Sequence, residues 1–372
     1  MGIIVYCSLY GRQICTSPDA FLFLFHPQYS TIMSVFSPSE PNAGTSGASP
    51  KGERIPSSLR QSACERLVSG PNRAQAARNL IGSAAAHGID LDLLWGVIDR
   101  SQPDHPRIRQ ACLAVLGEGA TAMLFHSSPE TNRWLGPKSA QRDEISAALR
   151  ACLKGLKSAS AHARLAQCLI EPKHTWAPEV FLGAGMIFVG ELAYMRQRMT
   201  PAPRAHIPEP DWPEGISVRP IRSLNADDPQ SDRAALIQAL ELSYIDTLDC
   251  PELCGMRSMD DVVDSHIATG VFNPRYWLLI ELNAHPVGCC LLTHCPNNSS
   301  IELVYLGIGA PARGLGLGRT VLAYGTERMR HLEAQEVTCA VDTRNIPAMR
   351  IYESLGYARF DSRLGFVASL GS

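Results

Sequence analysis

The chain has 372 residues, of which 45% are hydrophobic and 19% charged, with a formal net charge of −2. That length suffices for two substantial cores, and a balance so near neutrality gives no electrostatic case for a nucleic-acid partner. Its 12 cysteines follow no even framework. In the absence of a recognisable secretion signal they read as reduced thiols of a cytoplasmic protein. Cys250-x-x-x-Cys254 and His294-Cys295 are poorly spaced for zinc, so no metal is expected.

In chain order, residues 1–58 read as a disordered extension, or as sequence ahead of the real start, for which Met33 is a candidate. The apolar patch Ala20–Phe25 is too short to span a membrane, and Ser37–Ser58 is dense in Ser, Pro and Gly, which favours disorder. Residues 59–200 are globular in composition. Arg73–His87 is alanine-rich and helical in pattern. Ile108–Leu116 and Ala120–Phe125 read as strands joined at Gly117-Glu118-Gly119. Gln141–Lys157 places Ile145, Leu149, Cys152 and Leu156 on one helical face. A strand at Ala163–Ile170, a short helix at Ala177–Leu182 and a strand at Ile187–Met195 complete the region. Five prolines then fall between Pro201 and Pro213, a density compatible only with a semi-rigid linker over 201–215.

The segment 216–372 opens with an alternating strand, Ile216–Ile221, followed by helices at Asp232–Thr247 and Met259–Thr269. Trp277–Leu282 and Pro286–His294 form a hairpin turning at Asn283-Ala284. The apolar strand Ile301–Ile308 then leads to Arg313-Gly314-Leu315-Gly316-Leu317-Gly318-Arg319 and the helix that starts near Thr320. Glycines at alternate positions admit positive φ and close backbone approach. The first N–H groups of a helix lack internal partners and sit at the positive end of its dipole, so the spot suits phosphate. It is not a nucleotide P-loop, because Gly318 is followed by Arg319-Thr320 and not by Lys and a hydroxyl residue. Nor is it a dinucleotide fingerprint, because the glycine spacing differs and Glu336 precedes the next strand. Downstream, Glu336–Val341 reads as a strand and Asp342–Asn345 as a turn. Pro347 suits the first position of a helix, whose Ala348, Ile351, Tyr352 and Leu355 share one face.

An Arg-x-x-Gly-x-Gly loop between strand and helix, then Asn345-x-x-Ala348-x-x-x-Tyr352-x-x-x-Gly356-Tyr357, resembles the GNAT family of acyl-CoA N-acyltransferases over about residues 215–370. The resemblance implies an α/β (α+β) fold with a mixed, mostly antiparallel twisted sheet flanked by helices. It also implies an acetyl-CoA donor and transfer of the acyl group to a small-molecule or peptide amine. In the motif's terms, CoA pyrophosphate lies on the backbone of Arg313 to Thr320, with the Arg313 and Arg319 side chains either adding charge or serving as plain surface cations. The strand before the loop is splayed by a bulge in this family. Glycine within a strand often marks one, so Leu306-Gly307-Ile308 is its expected place, with donors there for the pantetheine and the thioester oxygen.

The resemblance implies two further roles, and the residues themselves suggest a third. Tyr352 matches the residue that protonates the departing thiolate, or else is a core tyrosine. Asn345 contacts CoA, or merely caps its helix. Glu302, a lone carboxylate in an apolar strand, is the candidate base for the attacking amine, or else faces solvent at the strand's start. Asp342, His294 and Tyr305 lie near the strand ends. The acceptor loops over about 222–275 lean acidic, with Asp246, Asp249, Glu252, Asp260 and Asp261 favouring a cationic amine.

The order of elements over 59–200 repeats the end of the C-terminal half, but residues 127–137 lack the glycine loop. That region is either a diverged GNAT-like domain without CoA binding or an unrelated α/β cap. A tandem of this kind resembles mycothiol synthase-like members of the family. The competing expectation is an acyl-CoA-binding sensor without catalysis, which needs neither Tyr352 nor Glu302.

Overall fold

The computed structural model describes residues 49–158 and 163–371. The expectations for residues 1–48, the Met33 start among them, lie outside these. The described chain packs as two compact units, one of residues 49–114 and 125–155, the other of 115–124 and 156–371.

In the first unit, strands β1 (Glu53–Arg54), β2 (Leu94–Asp99) and β3 (Arg107–Gly117) up to Ala114 form an antiparallel ladder. Helices α1 (Arg60–Leu67) and α2 (Arg73–Ala84) precede β2. Asn72 caps α2, its side chain accepting from the Gln75 N–H at 3.1 Å, a contact typically worth about 1 kcal/mol. Neither α1 nor β2 is apparent in the sequence. Strand β2 carries Gly96, where a Cβ would lie 2.2 Å from the Gln110 carbonyl oxygen, so close strand approach excludes any other residue. Helix α3 (Lys138–Ser158) buries Ile145, Leu149 and Cys152 as its periodicity predicts. Its Gly155 lies flat on the Trp95 ring.

The second unit holds β4 (Thr121–His126) up to Leu124, β5 (Leu165–Ile170), α4 (Ala177–Gly183), β6 (Ile187–Arg198) and β7 (Ile216–Pro220). Helices α5 (Arg233–Tyr244) and α6 (Met259–Ile267) follow, then strands β8 (Trp277–Leu282), β9 (His285–Cys295) and β10 (Ser300–Ile308). The chain finishes with α7 (Leu317–Arg328), β11 (Glu336–Asp342), α8 (Ile346–Ser354) and β12 (Ala358–Ser369). The β8–β9 hairpin turns where predicted, with Asn283 and Ala284 at φ of 49° and 65°, the left-handed pair that matches strand twist. The sheet order is β4-β5-β12-β6-β11-β10-β9-β8-β7. Only β4/β5 and β10/β11 run parallel in it.

Two strands in that sheet are not where their sequence neighbours are. Strand β6 pairs with β11 over seven residues, from Glu336↔Arg198 to Asp342↔Leu192. Strand β12 pairs with β6 on one side and β5 on the other. The proline-rich stretch 201–215 therefore connects two strands of one sheet. The core beneath the sheet gathers Leu278, Ile280, Leu292 and Ile301 with Val321 and Leu322 of α7 and Tyr352 of α8.

Candidate active site

Strands β10 and β11 are paired only at Ser300–Glu302 against Glu336–Thr338 and separate beyond that point. A cavity of about 550 Å³ occupies the opening, lined by Leu303–Ile308 of β10, the glycine loop, Ala340, the start of α8 with Tyr352, and Asp246–Asp249. Past Leu303 the β11-facing edge of β10 has no strand against it, and backbone groups on such an edge need partners.

The bulge expected at Leu306-Gly307-Ile308 lies elsewhere. The register of β10 against β9 shifts between Leu303 and Tyr305, which makes Val304 the extra residue. Gly307 is a glycine for another reason. A Cβ there would sit 2.5 Å from the Tyr305 ring and 2.6 Å from Ser243 Oγ. The space is taken by the buried Tyr305 hydroxyl and its 2.7 Å hydrogen bond to Ser243. Leu306, Gly307 and Ile308 nevertheless line the cavity.

Gly314 and Gly316 adopt φ of 81° and 73°, and nothing lies within 4 Å of a Cβ built on either. The backbone is thus turned into left-handed conformations with open space beside it, as a bound anionic group would require. Gly316 is the N-cap of α7, and the first intrahelical contact, Thr320 N–H to Gly316 O, is 3.5 Å long. The N–H groups of Leu317, Gly318 and Arg319 come before it and have no acceptor within the helix. Gly318 is buried, and a Cβ would meet Ile351 of α8 at 2.9 Å, so this glycine sets the packing of α7 on α8. Leu315 is exposed, and neither it nor Thr320 lines the cavity.

The two arginines differ. Arg313 donates from Nε to Ile308 O at 2.8 Å and from a terminal nitrogen to Ser243 O and Ile245 O at 3.2 and 2.8 Å. It ties the end of β10 to the end of α5. Arg319 is exposed in the first turn of α7 at the cavity rim, where its charge is available to an anion.

Helix α8 starts at Ile346, one residue before the predicted Pro347, with Asn345 as its N-cap accepting from the Ala348 N–H at 3.3 Å. Asn345 therefore caps the helix and lines the cavity at once. Tyr352 lies about two turns further on, 6% exposed, and also lines the cavity. Burial pushes its phenol well above the ordinary value of 10, with Cys339 and the Asp249 charge adding to the effect. It holds its proton through the neutral range, as a proton donor must.

Glu302 stands where β10 and β11 are still paired. It is not among the cavity's lining residues, and its Oε2 accepts from the Thr338 hydroxyl at 2.5 Å. His294 is also away from the cavity, paired across from Ile301. Tyr305 lines it, whereas Asp342 is fully buried and serves as an anchor. The Asp342 N–H donates to Asp249 Oδ1 at 2.8 Å, and Asp342 Oδ2 accepts from the Cys250 N–H at 3.1 Å. Arg344 pairs with Asp342 at 2.6 Å and with both oxygens of Glu252 at 2.8 and 3.0 Å. Desolvation acts to raise the Asp342 pKa, but the Arg344 hydrogen bonds outweigh it and hold the carboxyl below the ordinary 3.8. This network, which fixes the Asp246–Glu252 segment against the end of β11, has no signature in the sequence beyond the acidic lean of that segment.

The segment that carries the splayed β10/β11 pair and the left-handed glycines before α7 is matched by a family model. Residues 241–357 match the acetyltransferase (GNAT) family. This segment is a GNAT domain. The wider chain resembles mycothiol acetyltransferases, at 29% identity over 194 residues for that of Streptomyces bingchenggensis and 29% over 196 residues for that of Thermomonospora curvata. Each match takes in 51% of this chain and 58% or 61% of the relative, so the chain spans little over half the length of these curated relatives. In fold it is similar to a GCN5-related N-acetyltransferase from Sphaerobacter thermophilus, with a TM-score of 0.50 and 18% identity over 88% of this chain and 98% of that one. The GNAT segment contains every lining residue of the cavity. No helix among the described residues is long and apolar enough to cross a membrane.

Proposed function

We propose that the protein is an N-acetyltransferase that moves an acetyl group from acetyl-CoA to a primary amine by direct attack. The observation that carries this reading is the convergence of three features on one cavity: the glycine loop at the start of α7, the unpaired edge of β10, and the protonated Tyr352 phenol. Acetyl-CoA supplies an activated thioester. The backbone N–H groups of Gly314–Arg319 and the Arg319 side chain would hold its phosphates, with Asn345 at the same rim. Backbone donors beyond Leu303 on β10 would face the pantetheine and the thioester oxygen, a placement that stabilises developing negative charge. Tyr352 would give its proton to the departing sulfur. Glu302 stays the proposed base for the amine, acting through water, since its carboxylate is outside the cavity wall.

The mycothiol acetyltransferase relatives favour a small-molecule amine over a peptide as acceptor, in the cytoplasm. Residues 59–200 are taken as a degenerate GNAT-like half, and 216–372 as the half that carries catalysis. A sensor that only binds acetyl-CoA would have no use for a phenol held protonated at the cavity wall. Incubating the full chain with acetyl-CoA and a panel of primary amines, with N-acetyl products read by mass spectrometry, tests the proposal. Acetylated product is expected. Tight acetyl-CoA binding with no amine acetylated would replace the enzyme by the sensor.

A further inference from the structure

We propose that Arg344, seated on a bulge of β6, is a positioning residue for the acceptor amine, because through Asp342 it holds the Asp246–Asp249 wall of the cavity. The inference rests on the acetyl-transfer reading and adds to it the residues that decide how the amine is presented. It also makes β6, a strand of the half without a glycine loop, a working part of the site.

The donor has its own side of the cavity, made by the glycine loop, the β10 edge and α8. The longest lining stretch outside these is Asp246–Asp249, which is therefore the wall left for the amine. That stretch is not in a conformation the chain adopts unaided. Asp246 and Cys250 have φ of 53° and 48°, and residues with a side chain stay in this region only where surrounding structure imposes it. Asp342 supplies the hold at one end. Its N–H donates to Asp249 Oδ1 at 2.8 Å, and its Oδ2 accepts from the Cys250 N–H at 3.1 Å. Arg344 reaches just beyond, donating to both oxygens of Glu252.

Asp342 and Arg344 are themselves held from β6. The register of β6 against β12 shifts between the Gly190 and Phe188 pairs, so Val189 is the extra residue of a bulge. A bulge bends its strand and re-aims the groups it carries, and here the Val189 carbonyl accepts from Arg344 at 2.6 Å. On the other side, the Thr343 N–H donates to Glu191 O at 2.9 Å. Between them Gly190, at φ of 141°, packs on the carboxylate itself. A Cβ there would lie 2.9 Å from Asp342 Oδ2 and 3.2 Å from a terminal nitrogen of Arg344. Asp342 is fully buried and already bonded, so it could yield only by carrying Cys250 with it. Three consecutive β6 residues thus grip the 342–344 turn, and the turn grips the wall. None of Val189, Gly190, Asp342 and Arg344 lines the cavity, so they act on the amine through that wall.

The full-length protein is compared with Arg344→Met and with Gly190→Ala, which keeps every hydrogen-bonding group and adds one Cβ. Hydrogen exchange read by mass spectrometry reports the wall directly. In both variants the amides of 246–254 should exchange at least tenfold faster, and those of 317–328 in α7 within twofold of the wild type. Kinetics use the primary amine that the wild type acetylates fastest in the panel above. Its KM should rise at least tenfold in both variants, with kcat within threefold. Acetyl-CoA affinity by calorimetry should stay within twofold, which also shows that the variants are folded. Should either fail to fold, Glu252→Gln releases only the outer arm of Arg344 and should raise KM at least threefold. Unchanged exchange over 246–254, or faster exchange with an unchanged KM, overturns the proposal. So does an equal fall in acetyl-CoA affinity, which would make the network a support of the whole fold. If the wild type acetylates no amine, the acetyl-transfer reading itself falls and takes this one with it.

Discussion

Two loops stand at the same place in the order strand, loop, helix. One, 309–316, joins β10 to α7, and the other, 127–137, joins β4 to α3. The first keeps its backbone donors open beside a cavity, with Gly314 and Gly316 in left-handed conformations and empty space at each. The second is closed by side chains of the elements around it. Gln141, fully buried, accepts from the Glu130 N–H at 2.9 Å and donates to the carbonyls of Glu130 and Gly136 at 2.8 and 3.0 Å. Glu130 is paired with Arg66 at 2.8 Å and Arg73 at 2.7 Å, and Ser127 bonds Gln110 at 2.7 Å. Such a loop spends these polar groups on partners within the protein, where the glycine loop leaves its own open. The difference between a binding loop and a structural one therefore lies in where the backbone donors go, more than in the secondary structure around them.

The most drastic way to break the comparison is to separate the halves. A chain of residues 201–372 lacks β5 and β6, leaving both edges of β12 and one edge of β11 unpaired. Unpaired edges of that length promote aggregation. This fragment is expected to be insoluble or unfolded by circular dichroism, and a soluble fragment that binds acetyl-CoA would contradict the importance given to the β6–β11 and β12 pairings. Next in size, Tyr352→Phe should lower turnover about 10²–10⁴-fold with acetyl-CoA affinity unchanged in calorimetry. A variant within threefold of wild-type turnover would return Tyr352 to the role of a core tyrosine.

Gln141→Ala sharpens the comparison from the other side. It unpairs buried groups of the 127–137 loop and should cost about 1–3 kcal/mol in urea unfolding, while acetyl-CoA affinity stays the same. A loss of affinity would tie that loop to the ligand.

The smallest effect is one of pH. Asp232 is 1% exposed and accepts from both Arg222 and Arg219. Desolvation raises its proton affinity, but the hydrogen bonds from Arg222 and Arg219 outweigh that and hold it well below 3.8. Its contribution is present above about pH 3.8 and lost as pH falls toward the folded-state value. The larger unit, which contains Asp232 and Asp342, should thus loosen below pH 3.8, and Asp232→Asn should flatten that acid limb in thermal melts across pH. An unchanged limb would mean that other carboxylates set it.

Much of this was legible from the residues. The glycine loop, the Asn345–Tyr352 helix and most strands announce themselves by local rules, in which φ preference, capping and periodicity act within a few residues of each other. What escaped depends on partners distant in sequence. The bulge falls at Val304 and not at Gly307, because Gly307 answers to the Tyr305 ring folded under it. Arg313, in a position suited to phosphate, is committed to carbonyls of the α5 end. The positioning of Asp249 by Asp342, 93 residues away, and the pairing of β6 with β11 leave no local pattern that periodicity could detect.

The central claim is that the 309–316 loop and the start of α7 hold acetyl-CoA while the 127–137 loop does not. Calorimetric titration of acetyl-CoA into the full-length protein and into Gly316→Glu tests it most directly, because the new carboxylate enters open space where the phosphates would lie. One site per chain in the wild type, with affinity reduced at least 100-fold in the variant, is the expected result. Two sites per chain, no binding by the wild type, or equal affinity in Gly316→Glu would contradict it.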